Sequence, residues 1–279
     1  MKNTSRHSAA SAVPIAPILQ LGCLAASPAA VRAAIDCGAD WVRIPFRFRR
    51  PGIRELRHNN RLRDTIRYVH ARARRLVLDL ALMPSLPWRE YRDAVGWAED
   101  NGFDAIVLSD FALAIYCATR HPSLPLHFVA PDEVCARTAT LLKHQLNVSR
   151  LLVPRSLSTS RLTDISTRTK VELEVMAFDS AIAPPVNNAL PAWATGNRAS
   201  NDAAYLAQHH VSATLLQLPL MASIGIRAIQ VEPKNDMPDE VGTVARVWRT
   251  AIDHCLDDAD GYAVDPSWYR DLGAHLAVR

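Results

Sequence analysis

Residues 124–157 form the stretch that most restricts how this chain can fold. Apolar residues run from Leu124 to Val129, a Pro-Asp-Glu turn follows, and apolar positions then recur at helical spacing. A second apolar run ends at Val153. This order predicts a strand–helix–strand unit, which requires parallel strands and a right-handed crossover. Neither apolar run alternates strictly with polar residues, which indicates strands that are buried on both faces.

The same alternation of strand and helix repeats along the whole chain. We predict eight strands, at residues 18–21, 41–44, 76–80, 105–108, 124–129, 151–153, 171–175 and 226–231. The helix after the first strand is predicted to begin at Ser27-Pro28 and to end at Gly38, which are typical cap residues. Eight such units in 279 residues predict a single (β/α)8 barrel of the α/β class. A doubly wound open sheet is the alternative.

The domain organisation follows from where this rhythm begins and breaks. Residues 1–16 are rich in serine and alanine, and we predict a disordered tail there. Residues 17–279 are predicted to form the barrel domain with its C-terminal helices, because no linker divides them. Prolines and asparagines interrupt the pattern at residues 178–225. We therefore expect an insertion between strands seven and eight, lying across the mouth of the barrel.

The cysteines and the apolar runs of the sequence indicate where in the cell the protein is located. The five cysteines contain no CxxC pair, which is typical of reduced thiols in a cytoplasmic protein. No apolar run approaches the roughly 18 residues that a membrane span requires. The N-terminal residues lack the apolar core of a secretion signal. We therefore predict a cytoplasmic protein without a membrane span.

Candidate catalytic residues follow from the rule that (β/α)8 enzymes place their chemistry at the carboxyl ends of the strands. Polar residues at or near those ends are Asp79, Asp110, His127, Arg155, Glu174 and Glu232. One hypothesis is a barrel enzyme that uses them on a small anionic substrate. Structural alternatives remain open for them: Asp110 as a helix cap, His127 as a buried core histidine, and Glu174 as a layer residue of the barrel paired with an arginine. Arg155 could equally be the ion-pair partner of Glu174 or Glu232. No metal-ligand spacing is evident, so no metal site is predicted.

A second candidate site is a run of twelve arginines within residues 43–75, opposed only by Glu55 and Asp64. Such a density of positive charge favours an anionic partner, which RNA, an acidic protein or an anionic lipid surface would each satisfy. The predicted binding residues are Arg47, Arg49, Arg50 and Arg54. The alternative is an arginine-rich surface without a partner.

Several segments together resemble the collagenase-like peptidase family of unassigned catalytic type. They are residues 22–44, 126–158, 171–181 and 226–233. Together with the terminal DGYAVDPSWYRDL segment, they are most similar to the UbiV-type accessory proteins of oxygen-independent ubiquinone biosynthesis. The resemblance covers most of residues 17–275. It implies a (β/α)8 barrel that acts as a heterodimer with a UbiU-type partner in ring hydroxylation, and since relatives serve RNA hydroxylation it keeps RNA among the candidate partners.

The chain departs from this family where a cofactor is concerned. UbiV-type proteins hold an iron–sulfur cluster through four cysteines, one after strand two and the others in the insertion. Here Phe48 stands near the first of these positions, and residues 177–210 contain no cysteine. Cys23 is the one cysteine that we expect to face the mouth. We therefore predict no cofactor and a cluster that this chain has lost. The histidine-glycine of the family is Asp179-Ser180 here.

Overall fold

The computed structural model describes residues 19–46, 60–81, 87–154, 157–179 and 214–276. Eight parallel strands close into a barrel in chain order. They are β1 (Gln20–Leu24), β2 (Trp41–Pro45), β3 (Arg75–Asp79), β4 (Ala105–Leu108), β5 (Leu126–Val129), β6 (Val148–Val153), β7 (Glu172–Asp179) and β8 (Ala228–Glu232).

Helices surround the barrel. The described residues include α1 (Pro28–Asp36), α2 (Asn60–His70), α3 (Trp88–Asp100), α4 (Phe111–Arg120), α5 (Ala136–Leu146), α6 (Thr159–Arg168), α7 (Leu218–Ser223), α8 (Pro238–Asp257) and α9 (Pro266–Leu276). In this part of the chain, no helix is both long enough and apolar enough to cross a membrane.

The predicted (β/α)8 barrel is confirmed, and the alternative of an open sheet is wrong because β1 pairs with both β2 and β8. The first strand was placed too early: it begins at Gln20, where pairing with Ala228 of β8 starts, and it extends to Leu24. Residues 1–18 and 180–213 lie outside the described residues. The predicted tail, domain boundaries and mouth insertion therefore stay predictions.

Local sequence explains the bounds of α1. The Ser27 hydroxyl accepts a hydrogen bond from the Ala30 amide, and Pro28 occupies the first turn, where its missing N–H costs nothing. Beyond the helix, Gly38 has a φ of +101°, a backbone conformation that residues with a Cβ rarely adopt. The predicted cap residues are therefore confirmed at both ends.

Each strand of the barrel presents one set of side chains to the helices and another to the barrel interior. The outward set belongs to the large core shared with the helices, as Leu76 and Leu78 of β3 do. The inward set includes a small apolar cluster built on Trp41, Val77 and Val107. A Cβ at Gly22 would lie 2.4 Å from the Trp41 ring, so glycine on β1 is what admits the indole to the interior.

Candidate functional site

Two arginines occupy the interior of the barrel, where apolar side chains are the rule. Arg43 projects inward from β2 and Arg150 from β6, and they are 3% and 2% exposed. Glu174 of β7 lies between them: its Oε1 pairs with Nη2 of Arg43, and its Oε2 lies 3.5 Å from Nη1 of Arg150. A carboxylate buried to this degree requires such partners, since an unpaired charge in the interior is costly.

The Arg43 end of this arrangement faces the carboxyl ends of the strands. Its Nη1 lies 3.4 Å from Oδ2 of Asp79 and 3.8 Å from Oε1 of Glu232, which are the last residues of β3 and β8. Burial alone would lower the pKa of Arg43, but the carboxylates of Glu174, Asp79 and Glu232 raise it. The guanidinium therefore stays charged and holds three carboxylates together at the mouth.

The Arg150 end faces the opposite side of the barrel. Nε and Nη2 of Arg150 donate to Oε2 of Glu172 at 3.0 and 2.6 Å, and Nη2 also donates to Oε1 of Gln20 at 2.6 Å. Its guanidinium carbon lies 4.3 Å from the centre of the Trp41 ring, within range of a cation–π contact. We call the chain of charges from Glu172 through Arg150, Glu174 and Arg43 to Asp79 and Glu232 the axial ion-pair ladder.

A polar cavity of about 440 Å3 opens at the amino ends of the strands, and we call it the basal cavity. Arg75, the first residue of β3, lines it, and so do residues that precede the next strands, such as Asp104 and Lys170. His127 lies on its wall.

The structure places the predicted catalytic residues in different parts of the fold. Asp79, Glu174 and Glu232 come together around Arg43. Asp110 caps α4 by accepting a hydrogen bond from the Leu113 amide at 2.7 Å, which is the structural alternative for that residue. Arg155 lies outside the described residues, so its role stays a prediction.

His127 lies at the other end of the barrel from its expected position. It is the second residue of β5, and its neighbours on the cavity wall include Pro125 and Ser149, near the starts of β5 and β6. The fold therefore does not bring His127 together with Asp79 and Glu232 at one mouth, as the barrel-enzyme hypothesis expected.

The arginine-rich segment divides into parts with different environments. Arg43 is inside the barrel, and Arg47, Arg49, Arg50 and Arg54 lie outside the described residues. Arg72 pairs with Asp36 at 3.2 Å and Arg74 pairs with Asp40, so both are tied to residues at or just after the end of α1. Binding by the four predicted arginines stays a prediction.

Comparison with known proteins places the chain in a family. The model of peptidase family U32 matches residues 26–183 and 188–277. The chain belongs to peptidase family U32.

Solved structures similar to this U32 chain share its fold. The U32 peptidase Mk0906 is 13% identical, with a TM-score of 0.50 over 84% of this chain and 97% of that one. Thiamine phosphate pyrophosphorylase from Pyrococcus furiosus is 12% identical, with a TM-score of 0.52 over 88% and 98%. Tryptophan synthase from M. tuberculosis is 10% identical, with a TM-score of 0.51 over 85% and 93%. Structural similarity at such low sequence identity establishes the barrel fold and says nothing about the chemistry.

The cysteines of this U32 chain occupy separate places. Cys23 belongs to the outward core between β1 and the helices, so the expectation that it faces the mouth is wrong. Cys117 and Cys255 are buried in α4 and α8, and Cys135 is exposed at the start of α5. All five cysteines fall within the described residues, and no group of three metal-ligating side chains forms there.

Two of the thiols, Cys23 and Cys117, are fully buried. Burial raises the pKa of Cys23, and it raises the pKa of Cys117 to about 12. Iron–sulfur clusters are held by cysteine thiolates that lie close together, whereas the cysteines of this chain lie at separate places in the fold. The residues of this chain therefore do not fit a four-cysteine cluster site.

His127 predicts a pH dependence of stability. Burial, together with the charges of Arg150, Arg43 and Arg75, holds the pKa of His127 well below its usual range. The folded chain therefore keeps this ring neutral at pH values where the unfolded chain protonates it. Stability is expected to fall as the pH drops below about 6.5, and this residue contributes a slope of up to about 1.4 kcal/mol per pH unit.

The measurement is urea unfolding of the parent protein and of His127→Gln across that pH range. The variant should show a shallower loss of stability toward acid by about the slope given above. His144→Gln, which changes an exposed ring on α5, is the matched control and should keep the parent slope. Parallel curves for the parent and His127→Gln would contradict a neutral, buried His127.

Proposed function

We propose that this U32 protein is an accessory subunit of the UbiV type. It acts with a cluster-bearing UbiU-type partner in the oxygen-independent hydroxylation of the ubiquinone ring. The resemblance of residues 17–275 to the UbiV type supports this role. The observation that carries it is the engagement of the mouth carboxylates: Asp79, Glu174 and Glu232 surround Arg43 in ion pairs.

Carboxylates held in buried ion pairs differ from those that a hydrolytic or acid–base site requires. General acids and bases need a pKa near the working pH and access to a substrate proton. Asp79 and Glu174 are each 1% exposed and each forms an ion pair with Arg43, so neither is open to a substrate proton. The described mouth residues therefore favour a structural centre over a peptidase centre.

The placement of the cysteines supports the division of labour in this proposal. Because the thiols are dispersed and buried, the cluster of the active complex is assigned to the partner. This chain would then contribute a folded surface and the geometry of its barrel, and the redox centre would reside in the UbiU-type subunit.

Anaerobic co-expression with a tagged UbiU-type partner tests the proposal. We expect the two chains to co-elute at 1:1 in size-exclusion chromatography. Iron and acid-labile sulfide per partner should be equal with and without this chain, and the chain purified alone should contain neither.

Two outcomes would count against the proposal. Failure of the chains to associate when co-expressed would contradict the accessory role. Stoichiometric iron and sulfide in the chain alone would contradict the assignment of the cluster to the partner.

A further inference from the structure

The basal cavity carries an excess of positive charge that the axial ion-pair ladder does not neutralise. Four cations line it, namely Arg75, Lys143, Arg150 and Lys170, together with two carboxylates, Asp104 and Glu172. Lys143 and Lys170 come together where Nζ of Lys143 donates to the Lys170 carbonyl at 2.8 Å.

Both carboxylates of the cavity already have partners. Asp104 accepts a hydrogen bond from the Leu76 amide at 2.7 Å and lies 2.9 Å from Nε2 of His70. Glu172 is bound by Arg150 at 2.6 Å. Arg75, Lys143 and Lys170 form no ion pair with any carboxylate among the described residues. Three cations therefore line a cavity whose two carboxylates already have other partners.

Two residues of the cavity wall also carry a buried polar atom that has no hydrogen-bond partner among the described residues. Nε1 of Trp41 and Nδ1 of His127 make no hydrogen bond to the described part of the chain. Trp41 is 2% exposed and His127 is 8% exposed, and a buried polar atom without a partner is uncommon in a folded protein. Less than 1 Å2 of either atom is accessible, so other atoms of the two rings line the cavity.

The cavity is also large enough for a small molecule. Its volume of about 440 Å3 falls within the range of about 300–1,000 Å3 that is typical of ligand pockets. Arg150 and Trp41, in cation–π contact with each other, form part of its wall. Lysine and arginine cations are the groups that proteins use to hold phosphate and carboxylate groups.

We propose that the basal cavity binds a small organic anion through a phosphate or carboxylate group, with Arg75, Lys143 and Lys170 supplying the charge and with His127 and Trp41 forming part of the wall. The site lies at the amino ends of the strands, opposite the mouth. It is independent of the accessory role, because neither the ligand nor its residues take part in the ion pairs around Arg43.

The ligand probes are inorganic phosphate and citrate, titrated separately into the full chain by calorimetry at low ionic strength. Imidazole signals of 15N-histidine-labelled protein, assigned with His127→Gln, give a second readout confined to the cavity. We expect saturable binding of at least one probe and a shift of the His127 signal. Phosphate alone would assign a phosphorylated ligand, and citrate alone would assign a carboxylate ligand.

Matched variants distinguish a specific binding site from nonspecific attraction of anions to a positively charged protein. Lys143→Ala and Lys170→Ala should each weaken binding about tenfold, which is the effect of losing one charge-assisted hydrogen bond. Arg63→Ala removes the same charge from an exposed position on α2 and should leave the affinity unchanged. Equal weakening by all three variants, or binding of neither probe at millimolar concentration, would overturn the proposal.

Discussion

Replacing Arg43 with methionine is expected to lower the free energy of unfolding by about 3–5 kcal/mol, which is the typical cost of breaking a buried ion pair from one side. Methionine keeps much of the aliphatic stem of arginine but removes the charge that Asp79, Glu174 and Glu232 share. Three carboxylates would then lie close together with Arg150 as the remaining interior cation beside Glu174. The measurement is urea unfolding at neutral pH, followed by circular dichroism and tryptophan fluorescence.

A double substitution tests whether the loss arises from uncompensated charge. Removing a carboxylate together with its cation is often neutral, whereas removing the cation alone is not. Arg43→Met/Glu174→Gln should therefore be more stable than the sum of the single losses predicts, with a coupling of about 0.5–3 kcal/mol. Arg63→Met, on the exposed face of α2, is the matched control and should change stability by less than about 0.5 kcal/mol. Strictly additive losses would contradict the ion-pair account.

The fold could be predicted because the strands and helices of a parallel barrel differ in local pattern. Short apolar runs and cap residues such as Ser27 and Gly38 mark many of the elements, and eight repeats in one chain leave few arrangements. These signals are local, so one sequence contains them. The error at β1 arose because Leu19, although buried, precedes the first pairing with β8.

The axial ion-pair ladder could not be predicted in the same way. Strands buried on both faces show no polar alternation, so nothing local marks which side chains point into the barrel. Arg43 was therefore counted with the arginines that follow it, although its spacing of two from Trp41 puts both on the inward face of β2. Arg150 offered the same signal, a lone charge within the apolar strand VSRLLV.

The difference between the predicted and the observed position of His127 has a related cause. A polar residue within an apolar run was taken as its end, but the pairing of β5 with β4 and β6 begins at Leu126. His127 is therefore near the start of its strand, and its position depends on a register that only the closed barrel sets. The basal cavity was missed for the same reason, since its cations lie on separate elements: Arg75 begins β3, Lys143 is in α5, and Lys170 precedes β7.

Replacing Arg150 with lysine should lower the free energy of unfolding by about 1–3 kcal/mol even though the charge is kept, because hydrogen bonds of a buried charged group are lost. The guanidinium donates to Glu172 and Gln20 at once and stacks on Trp41. A lysine ammonium is a point charge on a flexible stem and cannot reproduce this fork and stacked plane. Arg150→Met, which removes the charge as well, should lower the free energy of unfolding by about 3–5 kcal/mol.

Coupling between the two arginines distinguishes a continuous ladder from two separate ion pairs. Glu174 contacts both, so each single variant leaves this buried carboxylate with one cation nearby, and Arg43→Met/Arg150→Met leaves it with neither. The double variant should therefore lose more than the sum of the single losses, by about 0.5–3 kcal/mol. Arg168→Met is the control, since its pair with Asp164 lies on the surface of α6 and should contribute at most about 1 kcal/mol. An additive double variant would mean that Glu174 does not link the two arginines, and the interior would then hold two independent pairs, one at the mouth and one above the basal cavity.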